Sequence, residues 1–249
     1  MLLAAKHPPG AIKGISFVRH KPDIVEVTVV VVGTFTPGVM SAHWLAHHGL
    51  ISESEADEAG TTVTHPDVSQ IELGWGKFYA DAQRLQFITT QSPWIRVHDF
   101  MAKLMGEAVP GQEVRALGIN LSATYALSAK EREELGHRLA PREPWGDWGK
   151  HINNPDPNNS ANGLISITMR QGSDLPNKFN KYIDVRIRAS NNIRPSGLEI
   201  YINDHYNLQE DPDSLFGTGP AVALLSEQFN ASIDRSENII DQIMDGVKK

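Results

Sequence analysis

The sequence predicts an α+β protein: a largely antiparallel sheet of about eight strands, with helices packed mainly on one face. Short segments that alternate apolar and polar residues recur between turn residues, most clearly at residues 181–189. Segments with helical spacing of apolar residues lie between them. A long C-terminal helix is predicted over residues 219–249, where Leu225, Phe229 and Ile233 share one face.

A valine-rich strand at residues 24–33 is expected near the middle of the sheet, because β-branched residues on both faces suit a strand covered on both sides. Pro22 and Asp23 predict a turn between it and a weaker strand at residues 11–19. The other elements predicted before residue 111 are two short helices over 37–50 and 52–60, a hairpin turning at 80–83 and a helix over 93–106.

The rest of the chain begins with a predicted strand over residues 113–127 and a helix that starts at Ser128. Ser128 and Glu131 have the spacing of a capping box, and Ser52 and Glu55 repeat it in the first half. The elements that follow are a loop over 141–163, three strands over 164–172, 181–190 and 197–206, and the closing helix.

The two halves of the chain, 1–110 and 111–249, are laid out alike, since each runs from strands to a helix with helical material inserted early. No residue-level repeat accompanies this likeness. With 249 residues the chain is long enough to bury a substantial core. We therefore expect a single α+β domain over 1–249, in which both halves share one continuous sheet.

Composition narrows the classes of function. The formal net charge is −7 and lysine and arginine form no cluster, which disfavours nucleic acid as a partner. The absence of cysteine removes disulfides, thiolate metal sites and cysteine nucleophiles, and it fits a cytoplasmic protein. The most apolar run has the length of one strand, which is too short to cross a membrane. The apolar segment at the start of the chain is too short for a signal peptide. We therefore expect no membrane association.

Histidines concentrate in the stretch from His43 to His65. His43 and His47 share a helical face and could ligate one metal ion, with His65 as a third ligand. This pattern would suit a metal-dependent hydrolase using zinc or manganese. However, Trp44 stands where zinc proteases carry a glutamate, and the simpler interpretation is an exposed helix that bears imidazoles. Without this site no cofactor is expected.

The loop at residues 141–163 contains Trp145 and Trp148 between prolines and glycines. One interpretation is that a ring fills the core and pins the loop. The other is an aromatic anchor for a partner, together with Arg142, because tryptophan and arginine dominate interface hot spots. We predict one ring in each role, with Trp148 as the anchor.

Asp204 and His205 stand side by side near the end of a predicted strand. Neighbouring residues of a strand point to opposite faces, so the two cannot form an orienting pair directly. A role in a strand-to-loop transition and a catalytic role both remain open. Glycine-rich phosphate loops and nucleophile elbows are absent.

The layout that runs through "FTPGVMSAHWLAHHGLI", "ALGINLSATYALS", "GHRLAPREPWG" and "INDHYN" to the closing helix resembles an uncharacterised family of bacterial proteins of about this length. The resemblance covers most of the chain. Its motifs carry no agreed catalytic role, so it implies no function for any residue.

These observations favour a non-enzymatic binding or regulatory subunit of a bacterial protein assembly, which acts through contacts with another protein or with a second copy of itself. The metal-dependent hydrolase centred on His43 and His47 is the first alternative. Binding of a small ligand between the sheet and the closing helix is the second, because many helix-on-sheet folds leave such a cavity.

Overall fold

A computed structural model of the protein describes residues 20–152, 163–172, 181–208 and 217–247. The strands are β1 (Ile24–Gly33), β2 (Gly60–His65), β3 (Val68–Leu73), β4 (Gly76–Asp81), β5 (Arg84–Thr89), β6 (Val114–Tyr125), β7 (Ser166–Gly172), β8 (Lys181–Ala189) and β9 (Leu198–Asn207). The helices are α1 (Ala42–His47), α2 (Glu53–Glu58), α3 (Ile95–Lys103), α4 (Ala129–Leu139), α5 (Gly146–His151) and α6 (Thr218–Met244). The predicted α+β class is confirmed.

The strands of the described residues form one antiparallel sheet in the order β2-β3-β4-β5-β1-β6-β9-β8-β7. The valine-rich strand β1 lies in the middle, as predicted. Val27, Val29 and Val31 are fully buried. They face Leu121, Ile119 and Leu117 on β6, so the central strands contribute a continuous apolar layer to the core.

Helices cover one face of the sheet, called here the inner face. Phe100 of α3 packs against Phe87 of β5 with the ring centroids 4.6 Å apart. The long helix α6 lies against β6 and β9 and buries Phe229 and Ile240. The opposite face, called here the outer face, carries the alternate side chains of the same strands, among them Thr28 and Asn120.

Local signals in the sequence account for the starts of α2 and α4. The predicted capping boxes of Ser52 with Glu55 and of Ser128 with Glu131 are both formed. Each serine oxygen accepts a hydrogen bond from the backbone N–H three residues later, and each glutamate accepts one from the backbone of the serine. These bonds satisfy backbone donors that the first turn of a helix leaves free.

Three predictions about elements need correction or lie outside the structure. Strand β2, whose sequence is rich in threonine, was not predicted. The region from residue 141 to 151 is not simply a loop, because a short 3-10 helix (Glu143–Trp145) and then α5 occupy it. Pro144 stands in the first turn of that 3-10 helix, where proline is tolerated because its missing N–H has no helical partner. The predicted strand over residues 11–19 lies outside the described residues.

The order of strands relates the two halves of the chain. The first described strands of the halves, β1 and β6, pair at the centre of the sheet, and the last described strands, β5 and β9, flank them. Two similarly laid-out halves that share one sheet would produce this order. The division into 1–110 and 111–249 stays an interpretation of the topology.

Candidate functional site

The described histidines of the first half do not assemble a metal site. His43 and His47 lie on the exposed side of α1, whose start is capped by Ser41. His65 lies at the end of β2 in the turn to β3, where its Nδ1 accepts a hydrogen bond from the backbone N–H of Asp67 at 3.3 Å. The described part of the chain contains no group of three histidine, aspartate or glutamate side chains that could hold a metal ion. The predicted site of His43, His47 and His65 is therefore not formed among the described residues.

Trp145 and Trp148 form the largest exposed aromatic feature of the described surface. Their side chains are 56% and 62% exposed, and the ring centroids lie 5.5 Å apart with the planes tilted by 55°. The prediction that one ring fills the core is wrong, because both rings lie on the surface. Large aromatic side chains are seldom left this exposed, which makes the pair a candidate contact surface.

The tryptophan pair is held on a compact support. Gly149 is buried, and a Cβ atom there would lie 2.3 Å from the carbonyl oxygen of Arg142, so only glycine permits this close turn. The side chain of Arg142 is largely buried and forms an ion pair with Glu133 of α4. Arg142 therefore anchors the segment to α4, and the partner contact predicted for it has no exposed guanidinium to use.

Charged groups surround the two rings. Asp147 and Lys150 form an ion pair at 2.6 Å on α5, and His137 lies 3.6 Å from Glu143. These side chains are all at least half exposed. An aromatic centre within a polar, solvent-exposed rim is the usual anatomy of a protein–protein contact.

Asp204 and His205 point to opposite faces of β9, as strand geometry predicted. The His205 ring lies on the outer face, stacked on Tyr182 of β8 with the centroids 4.4 Å apart. Asp204 lies on the inner face and is 1% exposed. The pair therefore cannot act as one catalytic unit.

A buried ionic cluster surrounds Asp204 on the inner face. The Oδ2 atom of Asp204 accepts hydrogen bonds from the Ser232 hydroxyl at 2.7 Å, from Arg235 at 2.6 Å and from the Tyr206 hydroxyl at 3.1 Å. The ammonium group of Lys181 lies 3.2 Å from Oδ1 and donates to the Tyr206 hydroxyl at 3.1 Å. Burial lowers the pKa of Lys181 and raises the pKa of Tyr206. The cluster joins β8, β9 and α6.

Sequence reasoning missed this cluster, although one signal for it exists. Asp204 occupies an inward position on a strand whose preceding inward residues are Ile200 and Ile202. A carboxylate at such a position requires buried partners. The alternation identifies Asp204 as unusual but cannot identify Lys181 or Arg235, which come from other elements.

A second polar group lies on the outer face. Glu26 of β1, Ser122 of β6, Tyr201 of β9 and Arg186 of β8 are in register across four neighbouring strands. The guanidinium of Arg186 lies over the Tyr201 ring, 4.9 Å from its centroid. Burial, reinforced by the carboxylate of Glu199, raises the pKa of Glu26, and burial also raises the pKa of Tyr201.

Replacing Glu26 by Gln should therefore increase the free energy of unfolding at neutral pH. A carboxyl whose folded-state pKa is raised contributes stability below its unfolded-state pKa, and that contribution is lost as pH rises through the folded-state pKa. The advantage of Glu26→Gln should accordingly shrink as pH falls through the raised folded-state pKa of Glu26, and it should be lost by about pH 4.3, the ordinary pKa of glutamate. Urea unfolding of both proteins across this pH range measures the difference. A difference that does not change with pH would contradict the assignment.

The fold and these surfaces define a helix-backed antiparallel-sheet protein with an exposed tryptophan pair and an ordered polar outer face. Neither a protein-family model nor a curated protein sequence matches the chain. Within the described residues, no helix has the length and hydropathy needed to cross a bilayer.

Proposed function

We propose that this chain is a non-enzymatic binding or regulatory subunit of a bacterial cytoplasmic assembly and that it acts through protein–protein contacts. The observation that carries the proposal is the pair Trp145 and Trp148, two adjacent rings that each expose more than half of their surface. Tryptophan is among the residues most enriched at the energetic centre of protein interfaces.

The support of the two rings favours a specific contact. A rigid aromatic side chain loses little conformational entropy on binding, so most of the area that it buries contributes to affinity. The turn at Gly149 and the ion pair of Arg142 with Glu133 fix the segment to α4 before any partner arrives. The rings are thereby presented in one arrangement.

Further exposed apolar side chains lie close in sequence to this support. The segment after Gly163 approaches Arg142, since a Cβ atom on Gly163 would lie 3.6 Å from its Nη2 atom. Ile165 lies just before the edge strand β7 and is 62% exposed, and Met169 lies on this strand and is 69% exposed. An exposed edge strand with apolar side chains is a common site of strand pairing with another chain.

The alternatives receive less support from the structure. A hydrolase centred on His43 and His47 would need a third ligand that the described residues do not bring to them. A ligand between the sheet and α6 would meet Phe229, Ile240 and the ionic cluster of Asp204, which occupy that interface. Binding of a small ligand between the sheet and α6 stays a prediction. If a ligand binds there, a variant that fills or opens this interface should change its affinity.

Affinity purification from the source organism tests the proposal. The bait proteins are the wild-type chain, the double variant Trp145→Ser/Trp148→Ser and a control, Val39→Ser, which removes another exposed apolar side chain (54% exposed) from a different surface. We expect one protein to be recovered in stoichiometric amount with the wild type and the control and to be lost with the double variant. Recovery of the same proteins by all three baits would contradict the proposal, as would a monomer that recovers no partner.

A further inference from the structure

The outer face of the sheet has a recessed polar centre although no described helix covers it. Asn120 of β6 and Thr28 of β1 are directly opposite in the register, and they are only 3% and 6% exposed. Longer side chains, including Tyr201 and Glu26, lie on the neighbouring row of the same face. Gly118, which precedes Asn120 on this face, has no side chain.

This polar centre contains one hydrogen-bonding atom that is unsatisfied among the described residues. The Oδ1 atoms of Asn120 and Asn203 each lie 3.4 Å from the place where a Cβ atom of Gly118 would be. Within the described residues, the Oδ1 atom of Asn120 is buried and accepts no hydrogen bond. A buried amide oxygen without a donor costs free energy, and a ligand that supplies an N–H group would recover it.

The charged groups of the outer face are paired, with two exceptions. The ion pairs on this face are Glu72–Lys77, Asp81–Arg84, Asp184–Arg170 and Glu199–Arg188. In the part of the chain that the structure describes, Glu26 and Arg186 have no ion-pair partner within 4.0 Å. The Nε atom of Arg186 is also buried without a hydrogen bond. One negative and one positive group thus stand at the two ends of a single row.

The spacing of these two groups defines the ligand that they fit. Three inter-strand steps of about 4.8 Å separate Glu26 from Arg186 at the backbone, which amounts to roughly 14 Å. The guanidinium of Arg186 lies 4.9 Å from the centroid of the Tyr201 ring, which belongs to the next strand in the direction of Glu26. An extended peptide covers about 3.3–3.6 Å per residue, so three residues span roughly 10 Å.

We propose that the outer face binds a short peptide with free termini, of about tripeptide length, along this row. Its carboxylate would be bound by Arg186 and the Tyr201 hydroxyl, and its ammonium group by Glu26. The amides of Asn120 and Asn203 would bind the peptide groups between them. Arginine is suited to the carboxylate, because its planar guanidinium presents two parallel N–H donors.

Peptides with blocked ends test this assignment without altering the protein. Isothermal titration calorimetry of the full chain would compare trialanine and trileucine with their N-acetylated and C-amidated forms. Each block removes one charge-assisted contact, so each should weaken binding about tenfold or more. Equal affinity for free and blocked peptides would overturn the proposal, as would no saturable binding of either free peptide at millimolar concentration.

Variants then assign each end of the ligand. Arg186→Gln should abolish the preference for a free carboxylate and keep the preference for a free ammonium group, and Glu26→Gln should do the reverse. Arg170→Gln removes a paired arginine from the same face and should leave both preferences unchanged, as should the double tryptophan variant. Thermal melts of each variant confirm folding before titration. If Arg186→Gln and Arg170→Gln change the carboxylate preference equally, Arg186 does not bind the carboxylate.

Discussion

Replacing Asp204 by Asn should lower the free energy of unfolding by about 3–5 kcal/mol, because removal of one partner from a buried ionic group leaves its counter-charges buried and unpaired. The change keeps the size of the side chain and an oxygen for the Ser232 hydroxyl. It removes the negative charge that Arg235 and Lys181 contact at 2.6 Å and 3.2 Å. The expected loss is therefore electrostatic and involves no cavity.

Asp184→Asn is the matched control for this variant. Asp184 lies one strand away on the outer face and binds Arg170, whose side chain is 59% exposed. Exposed ion pairs contribute only about 0–1 kcal/mol, so this variant should unfold almost like the wild type. Urea unfolding at neutral pH measures both differences. A loss for Asp204→Asn no larger than the loss for Asp184→Asn would show that the inner cluster is not a buried ionic unit.

Features encoded by neighbouring residues were predictable from the sequence. The two capping boxes need only a serine and a glutamate at fixed spacing, and the valine run of β1 predicts a buried central strand by itself. The polar strand β2 was not predicted because its sequence shows neither an apolar face nor a clear alternation. The prolines and glycines of residues 141–163 predicted a loop, whereas in the structure Gly146 begins α5 and Gly149 permits its close turn.

The candidate sites depend on contacts between residues that are far apart in the sequence. Such contacts could not be predicted from the sequence. Lys181, Asp204 and Arg235 come from two strands and a helix, and only the fold brings them together. The same holds for Glu26 and Arg186, which become members of one row through the register of four strands. For Trp145 and Trp148, the residue types indicated a contact surface, but burial or exposure is decided by the packing of α4 and α5.

The loss of partner affinity in tryptophan variants is the second large effect that we expect. Trp145→Ala and Trp148→Ala should each weaken binding by about 2 kcal/mol or more, which is roughly a thirtyfold increase in Kd. The free energy of unfolding should change by less than about 1 kcal/mol, since rings that are 56% and 62% exposed contribute little to the core. The two rings touch each other, so the double variant is expected to lose less than the sum of the single losses.

Titration of the purified partner against wild type, Trp145→Ala, Trp148→Ala and the control Val39→Ala is the most direct test of the proposed function. If the partner is a second copy of the chain, the same comparison is made on the dimer dissociation constant by sedimentation. The proposal predicts weaker binding for both tryptophan variants, unchanged binding for the control and nearly unchanged stability for all. Wild-type affinity in both tryptophan variants, accompanied by a stability loss of about 3–5 kcal/mol as for an emptied core site, would contradict it.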